Sequence, residues 1–267
     1  MGNASELLAE IAAAKRDEVA RIVPERARLA RRVESAPAPR RFDEALVRGG
    51  GQLAVIAEIK RRSPSKGDLA PDLDPAQTAR EYAAGGAAAL SVLTDLAYFG
   101  GSLSDLEVAR EAVEVPVLRK DFTIDPIQVL EARASGADAV LLIVAALPDE
   151  GLLRDLFETA DGLGLAAVVE VHDDAEVDRA VACGARIVGV NARDLSDFSE
   201  DLTLSERLSR RLPPEVIGIA ESAIRGPDDA QRMVDAGFRA VLVGEALVRS
   251  PRPADLVRRL AAVRARR

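Results

Sequence analysis

The chain alternates between short apolar runs, rich in β-forming residues, and longer amphipathic stretches with helical spacing. Such alternation is typical of strands that are separated by helices. The helical spacing is clearest in "DPIQVLEARASG" and "DDAEVDRAVACG". The predicted strands cover residues 54–60, 88–93, 115–119, 138–144, 165–171, 186–191, 216–220 and 240–243.

The junction between helix and strand recurs along the chain. The segments "AAGGAAALSVL", "RASGADAVLLI", "ACGARIVGV" and "DAGFRAVLVG" each pass from a helix end through a glycine into an apolar strand. Glycine suits the left-handed residue at which many helices end. Eight strand–helix units at spacings of roughly 20–33 residues fit a (β/α)8 barrel, which needs about 250 residues. We therefore predict an α/β protein with a (β/α)8 TIM barrel, and a doubly wound sheet is the alternative.

The N-terminal segment differs from the rest because it contains no predicted strand. Its pattern predicts one or two extra helices that end at "ESAPAPRRF" and pack across the barrel. No low-complexity linker or second core follows. We expect one domain over residues 1–267, with residues 1–45 as an N-terminal helical extension.

Composition restricts the kind of protein. The net charge of −8 argues against a general nucleic-acid binder. The longest apolar run, "AVLLIVAAL", is half the length of roughly 18 residues that a membrane span needs. Glu6 and Glu10 lie where a secretory signal would be basic and apolar, so we expect a cytoplasmic protein without nucleic-acid or membrane partners.

Cysteine and histidine are each present once. Cys183 alone excludes an internal disulfide and a cysteine-based metal cluster, and His172 alone excludes a histidine-rich metal site. We therefore expect no metal. His172 is predicted to have no catalytic part, and Cys183 is predicted to be a small buried apolar residue.

Lysine is scarce, since only four of the 36 basic residues are lysines. The chain uses arginine as its surface cation, so a lysine at a strand end indicates a specific role for the amine. Lys60 follows Glu58 by two positions at the end of the first strand, and residues two apart on a strand point to the same side. An amine, unlike a guanidinium, can release its proton after a pKa shift.

In a barrel of this type, active sites form at the C-terminal ends of the strands. The predicted strand ends concentrate amines, carboxylates and an amide, except that strand 4 ends in the apolar "LLIV". The polar and small residues at these ends are Glu58, Lys60, Lys120, Glu170, Asn191, Arg193, Glu221, Ser222, Gly244 and Glu245.

Each of these residues also has a purely structural interpretation. The lysines can be solvated, Glu58 and Glu170 can form buried ion pairs, and Asn191 can cap a turn. Their joint placement on one rim favours function, because crowded amines and carboxylates shift one another's pKa values and provide both a proton donor and a proton acceptor. Small residues before helices at the last two strands suit a phosphate group. The residues alone thus predict acid–base catalysis on a small phosphorylated substrate.

A series of segments over nearly the whole chain resembles the indole-3-glycerol phosphate synthase family. They are "AEIKRRSPSKG", "LSVLTDLAYFGGS", "PVLRKDF", "VEVH", "GVNARDL", "AES" and "VGEAL", in that family's order. The resemblance implies a phosphate-binding (β/α)8 barrel that acts as a carboxy-lyase in tryptophan biosynthesis, without a cofactor. Its reaction converts 1-(2-carboxyphenylamino)-1-deoxyribulose 5-phosphate into indole-3-glycerol phosphate, CO2 and water.

The resemblance also implies residue roles. The implied catalytic set is Lys120, Lys60, Glu170, Glu58, Asn191, Glu221 and Ser222. Lys120 resembles the general acid at the substrate's ketone and hydroxyl oxygens, and Glu170 resembles the carboxylate that moves protons after decarboxylation. Lys60 resembles a second amine near the substrate carboxylate, with Glu58 and Asn191 as orienting partners. The implied substrate and phosphate contacts are Ser63, Arg193, Ala223, Gly244 and Glu245.

Two aromatic residues, Phe99 and Phe122, are expected to hold the anthranilate ring together with "LLIV". One departure from the family is Ala223, which stands where a glycine is usual, and its methyl group is expected to crowd a backbone that approaches phosphate. The chain is expected to bind only its small-molecule substrate, as a monomer or, alternatively, a homodimer.

Two other functions compete with this interpretation. A related barrel, phosphoribosylanthranilate isomerase, would be expected to use a Cys/Asp pair at strand ends, whereas Cys183 is predicted on a helix. A barrel that only binds a phosphosugar would have little use for Lys60 and Lys120 facing carboxylates.

Overall fold

Eight parallel strands close into a barrel in chain order, with the last strand paired to the first. The computed structural model describes residues 4–47, 49–193 and 199–265. This architecture confirms the predicted (β/α)8 barrel. The strands are β1 (Ala54–Ile59), β2 (Ala89–Leu93), β3 (Val117–Lys120), β4 (Ala139–Ile143), β5 (Ala166–Val171), β6 (Ile187–Asn191), β7 (Ile217–Glu221) and β8 (Ala240–Val243).

Helices precede the barrel and fill the connections between its strands. They are α1 (Ala4–Ile22), α2 (Arg26–Ser35), α3 (Phe42–Leu46), α4 (Pro75–Gly85), α5 (Leu96–Phe99), α6 (Leu103–Ala112), α7 (Pro126–Ala134), α8 (Glu150–Gly162), α9 (Asp174–Ala182), α10 (Leu202–Ser209), α11 (Pro227–Asp235), α12 (Glu245–Val248) and α13 (Pro253–Ala261). Short 3-10 turns occupy Val23–Glu25, Gly49–Gly51 and Val144–Ala146, and a small hairpin joins Arg62–Ser63 to Gly67–Asp68. Aspartate caps several of the connecting helices by accepting a backbone N–H bond, for example Asp74, Asp125, Asp149 and Asp173.

Most strand residues are apolar because both faces of the strands are buried. Every second side chain of a strand points into the barrel and fills its interior, as Ile56, Leu118, Leu141 and Ile219 do. Their neighbours in sequence pack outward against the helices in a second cluster. The alternation then carries each strand's last inward-facing side chain into the mouth of the barrel.

The start of β3 differs from the prediction by two residues. The predicted strand began at residue 115, whereas the structure begins it at Val117. Pro116 has no N–H group to donate to a ladder, although its carbonyl still accepts from Leu90. The strand extends instead to Lys120, which pairs in register with Leu93. The lysine is therefore held by the sheet.

The N-terminal helices touch both ends of the barrel, and a short third helix adds to the one or two predicted. Phe42 and Leu46 of α3 are buried in the interior cluster at the N-terminal end of the strands. Leu29 of α2 packs beside Ile127 of α7. Ile11 of α1 lines the cavity at the opposite end. Within the described residues, no helix combines the length and apolarity that a bilayer crossing requires.

Candidate active site

A cavity of about 570 Å³ opens at the C-terminal ends of the strands. The structure brings every sequence-predicted site residue to this one cavity, although they are spread from residue 58 to residue 245. The predicted residues that line it are Glu58, Lys60, Ser63, Phe99, Lys120, Phe122, Glu170, Asn191, Arg193, Glu221, Ser222, Ala223, Gly244 and Glu245.

Lys120 and Glu170 form the central contact of the cavity. Lys120 Nζ donates to Glu170 Oε2 at 2.8 Å and lies 3.5 Å from Glu221 Oε2. Asn191 Nδ2 donates to the other oxygen of Glu170 at 3.1 Å, and Asn191 Oδ1 accepts from Ser222 Oγ at 2.8 Å. Four strand ends thus form one hydrogen-bonded chain, so each polar group has a fixed direction.

The pKa values of these groups separate into donors and acceptors. Burial alone would lower the pKa of the Lys120 amine, but the carboxylates of Glu170, Glu221 and Glu58 raise it. Burial alone would raise the pKa of Glu170, but Lys120 and His172 hold it well below its usual range. Burial raises the pKa of Glu221 to about 8, against the charge of Lys120. At neutral pH the cavity therefore holds an ammonium group, a carboxylate and a neutral carboxyl group.

Glu221 fits inside the barrel because Gly189 of the neighbouring strand leaves space for its carboxyl group. A Cβ atom on Gly189 of β6 would lie 2.1 Å from Glu221 Oε1, well inside a van der Waals contact. Glycine at this position thus makes room for the buried carboxyl group beside Lys120 and Glu170.

The pair at the end of β1 depends on a glycine in the same way. Lys60 Nζ lies 2.6 Å from Glu58 Oε1, so both side chains point into the mouth as predicted. A Cβ atom on Gly244 would lie 2.3 Å from Glu58 Oε1 and 3.1 Å from Lys60 Nζ. Gly244, just after β8, therefore leaves the space that the pair occupies.

The loop after β1 is tied across the cavity to the loop after β6. Arg193 Nη1 donates to Ser65 Oγ at 3.1 Å, and Arg193 Nη2 pairs with Glu200 at 2.5 Å. Ser63 lies on the hairpin of the same loop, 3.5 Å from Ser65 Oγ. Arg193 thus brings a positive charge to the rim. The next two residues of the "GVNARDL" segment, 194 and 195, lie outside the described residues.

The turn after β7 has an unusual backbone. Ser222 and Ala223 both adopt positive φ angles, of 65° and 59°. This left-handed region favours glycine, because a Cβ atom there crowds the neighbouring carbonyl oxygen. The alanine that departs from the family pattern therefore occupies a conformation that glycine would adopt at lower cost.

One wall of the cavity is apolar. The rings of Phe99 and Phe122 lie 6.4 Å apart between centroids, at an interplanar angle of 36°. Leu141 and Ile143 of β4 continue this wall, as the "LLIV" pattern predicted, and Ile11 of α1 adds to the lining. A planar aromatic group would find a hydrophobic surface beside the polar groups.

Sequence reasoning missed Lys15, which is almost fully buried beneath this wall. Its Nζ atom lies 2.8 Å from both Asp95 Oδ2 and Asp121 Oδ1, and 2.9 Å from Glu18 Oε2. The scarcity of lysine was the available signal. Lys60, Lys66 and Lys120 line the cavity, and Lys15 contacts two carboxylates that line it. All four lysines therefore serve the same end of the barrel.

His172 and Cys183 have different environments. His172 Nε2 lies 3.4 Å from Glu170 Oε1, close to the centre of the site, although sequence reasoning gave the histidine no catalytic part.

Cys183 caps the C-terminus of α9 in the outer layer. It was predicted to be buried, but it is only half-buried, since only part of its surface packs against the outer core. It does not line the cavity, so the Cys/Asp pair of the alternative isomerase is absent from the described site.

Comparisons with known proteins agree with this geometry. The family model for indole-3-glycerol phosphate synthase matches residues 8–260. The chain is 58% identical over 210 residues to an indole-3-glycerol phosphate synthase of a Nocardioides species, covering 79% of this chain and 80% of that protein. It is 48% identical over 262 residues to the Mycolicibacterium gilvum protein of the same name, covering 96% and 95%.

A solved structure, thiamine phosphate pyrophosphorylase from Pyrococcus furiosus, shares the fold at 17% identity and a TM-score of 0.58, covering 79% of this chain and 94% of that one. That likeness concerns the barrel alone, whereas the family match extends over nearly the whole chain. The chain belongs to the indole-3-glycerol phosphate synthase family.

Proposed function

We propose that the cavity closes the indole ring of 1-(2-carboxyphenylamino)-1-deoxyribulose 5-phosphate, with loss of CO2 and water, by means of its lysines and glutamates. The family is one of lyases in tryptophan biosynthesis. The observation that carries the proposal is the contact of 2.8 Å between Lys120 Nζ and Glu170 Oε2 inside the cavity. This contact supports the proposal because a proton donor and a proton acceptor lie side by side in the cavity.

Lys120 is the proposed general acid. Ring closure requires the ketone carbon to become electrophilic, and a proton or a strong hydrogen bond at the ketone oxygen achieves this. The raised pKa of Lys120 keeps its amine charged at neutral pH. The same group can protonate the hydroxyl group that leaves in the dehydration step.

Glu170 is the proposed base, with Glu221 as its neutral neighbour. The electron pair released by the loss of CO2 restores the benzene ring. In the following dehydration, the carbon next to the nitrogen loses a proton, which an ionised carboxylate can accept, while the adjacent hydroxyl group leaves as water. The lowered pKa of Glu170 keeps it ionised, and the raised pKa of Glu221 keeps the second carboxyl group protonated. Two carboxyl groups in different protonation states are typical of acid–base sites.

The rest of the cavity suits the other parts of the substrate. Lys60, oriented by Glu58, is the proposed contact of the substrate carboxylate and a second acid. Phe99, Phe122 and the end of β4 are the proposed wall for the aromatic ring. The phosphate is proposed to meet the backbone around Ala223 and Gly244 and the backbone N–H of Glu245 at the start of α12. The side chains of Ser63, Arg193 and Ser222 are its proposed donors. The proposed contacts thus provide separate places for the carboxylate, the aromatic ring and the phosphate of the substrate.

Turnover can be followed directly because the product contains an indole. Purified protein is mixed with the carboxyphenylamino-deoxyribulose phosphate, and indole fluorescence is recorded together with a calorimetric titration. We expect saturable binding and rising indole emission. Tight binding without emission would instead indicate a non-catalytic phosphosugar binder and would contradict the proposal.

A further inference from the structure

His172 is held in place by the strand that precedes it and by the helix that follows it. It follows β5 directly, so its side chain has the same parity as Glu170 and points toward the mouth. Glu176, in the first turn of α9, accepts from the backbone N–H of His172 at 2.7 Å and lies 3.1 Å from Nδ1. This double contact fixes the plane of the imidazole.

The free edge of the same ring faces the proposed base. Nε2 is buried, lies 3.4 Å from Glu170 Oε1, and makes no hydrogen bond within the described part of the chain. A buried ring nitrogen without a partner is costly unless a nearby charge compensates it. The nearest compensating charge is the carboxylate of Glu170.

We propose that His172 is a positioning residue for Glu170: its ring contacts one carboxylate oxygen while Lys120 contacts the other, so the carboxylate stays aimed at the lysine. This inference rests on the proposed role of Glu170 as the base. Glu170 would then lie between two cations, because Lys120 contacts Oε2 and His172 contacts Oε1. The amide of Asn191 also donates to Oε1. Neither oxygen can rotate away without losing a charged contact.

Charge supports this arrangement. Burial alone would lower the pKa of His172, but Glu170 on its own strand and Glu176 on the following helix raise it to about 10. The polar neighbour from β6, Asn191, is uncharged. The imidazole therefore stays cationic through neutral pH, and its charge is one of the two that lower the pKa of Glu170.

The electrostatic coupling between the His172 ring and the Glu170 carboxylate can be measured directly by NMR. His172 is the only histidine of the chain, so its imidazole NMR signals need no assignment. We expect a ring pKa well above the usual value of about 6.5, and a downward shift of about one pH unit or more in Glu170→Gln. Glu158→Gln, which removes an exposed carboxylate on α8, is the matched control and should leave the titration unchanged. A ring that titrates normally and ignores Glu170→Gln would overturn the proposal.

Kinetics test the consequence for the reaction. His172→Leu should lower kcat by about tenfold or more, leave KM within about twofold, and move the acid limb of the kcat profile to higher pH. His172→Gln keeps a donor without the charge, so it should recover part of kcat but retain the moved acid limb. Equal losses in both variants with an unmoved acid limb would indicate a merely structural residue and would refute the proposal. Failure of the wild type to turn over would count against the proposed function alone, since the titration does not depend on activity.

Discussion

Lys15 Nζ lies 2.8 Å from Asp121 Oδ1, so a buried ion pair joins the first helix to the residue that follows the proposed acid. The same amine lies 2.8 Å from Asp95, which caps the short helix that carries Phe99. On the other side, Asp121 accepts from Thr94 Oγ1 at 2.6 Å and pairs with Arg119. The N-terminal extension is thereby connected to the elements that hold Lys120 and the aromatic wall.

Lys15→Met should lower the free energy of unfolding by about 3–5 kcal/mol, because it leaves Asp95 and Asp121 buried without their shared cation. We also expect a higher KM, since both aspartates support the apolar wall. Urea unfolding and steady-state kinetics measure the two effects. Arg28→Met removes an exposed ion pair of the same extension and should change stability by less than about 1 kcal/mol. Equal effects of the two variants would contradict the structural role of Lys15.

Lys120→Ala should lower kcat at least about a hundredfold, the usual contribution of a general acid or base. The assay is indole emission under saturating substrate. Lys120→Arg is the matched variant, because a guanidinium keeps the charge but does not release a proton at working pH. We expect it to be nearly as impaired. Wild-type-like turnover of either variant would remove Lys120 from the proposed role.

Glu170→Gln should slow the chemical step and largely spare substrate binding, because the amide keeps the shape of the side chain but cannot accept a proton. Single-turnover fluorescence and calorimetry separate the two quantities. The exposed Glu158→Gln variant serves as control and should behave as wild type. Abolished binding with an unchanged chemical step would make Glu170 a binding group instead.

Ala223→Gly should raise the free energy of unfolding by up to about 1 kcal/mol, since φ of 59° costs an alanine more than a glycine. It should also lower KM by removing a methyl group from the proposed phosphate contact. Ala175→Gly, on the exposed face of α9, should have the opposite sign, with a loss of about 0.5–1 kcal/mol. Destabilisation by both variants would show that the methyl packing of Ala223 outweighs its backbone cost.

Stability should fall as pH rises from about 6.5 to about 10, the window set by the ordinary and the raised pKa of His172. Within it the folded chain keeps a proton that the unfolded chain has lost, so each added pH unit removes up to about 1.4 kcal/mol. His172→Gln should flatten this slope. Urea unfolding at several pH values measures it, and an unchanged slope in the variant would assign the pH dependence to another group.

Much of the site followed from local pattern and chemistry. The parity of Glu58 and Lys60 already requires that they share a side of β1, and a strand end in a barrel already faces the active-site mouth. Lys15 was not predicted, because a helical position has no parity that points to a distant cavity. His172 has the parity of Glu170, but its place at the start of a helix argued against a catalytic part. Only the fold shows that residue 15 meets residues 95 and 121.

The sequence by itself determined the order of strands and helices, the barrel, and the set of amines and carboxylates at the strand ends, because these depend on periodicity and on residue type. The tertiary structure decided which of those groups touch and which protonation state each adopts. The 2.8 Å contact of Lys120 with Glu170 joins residues 50 positions apart, and burial raises one carboxyl pKa while neighbouring cations lower another. Distances and burial arise only when the ring of strands closes, so no local pattern contains them.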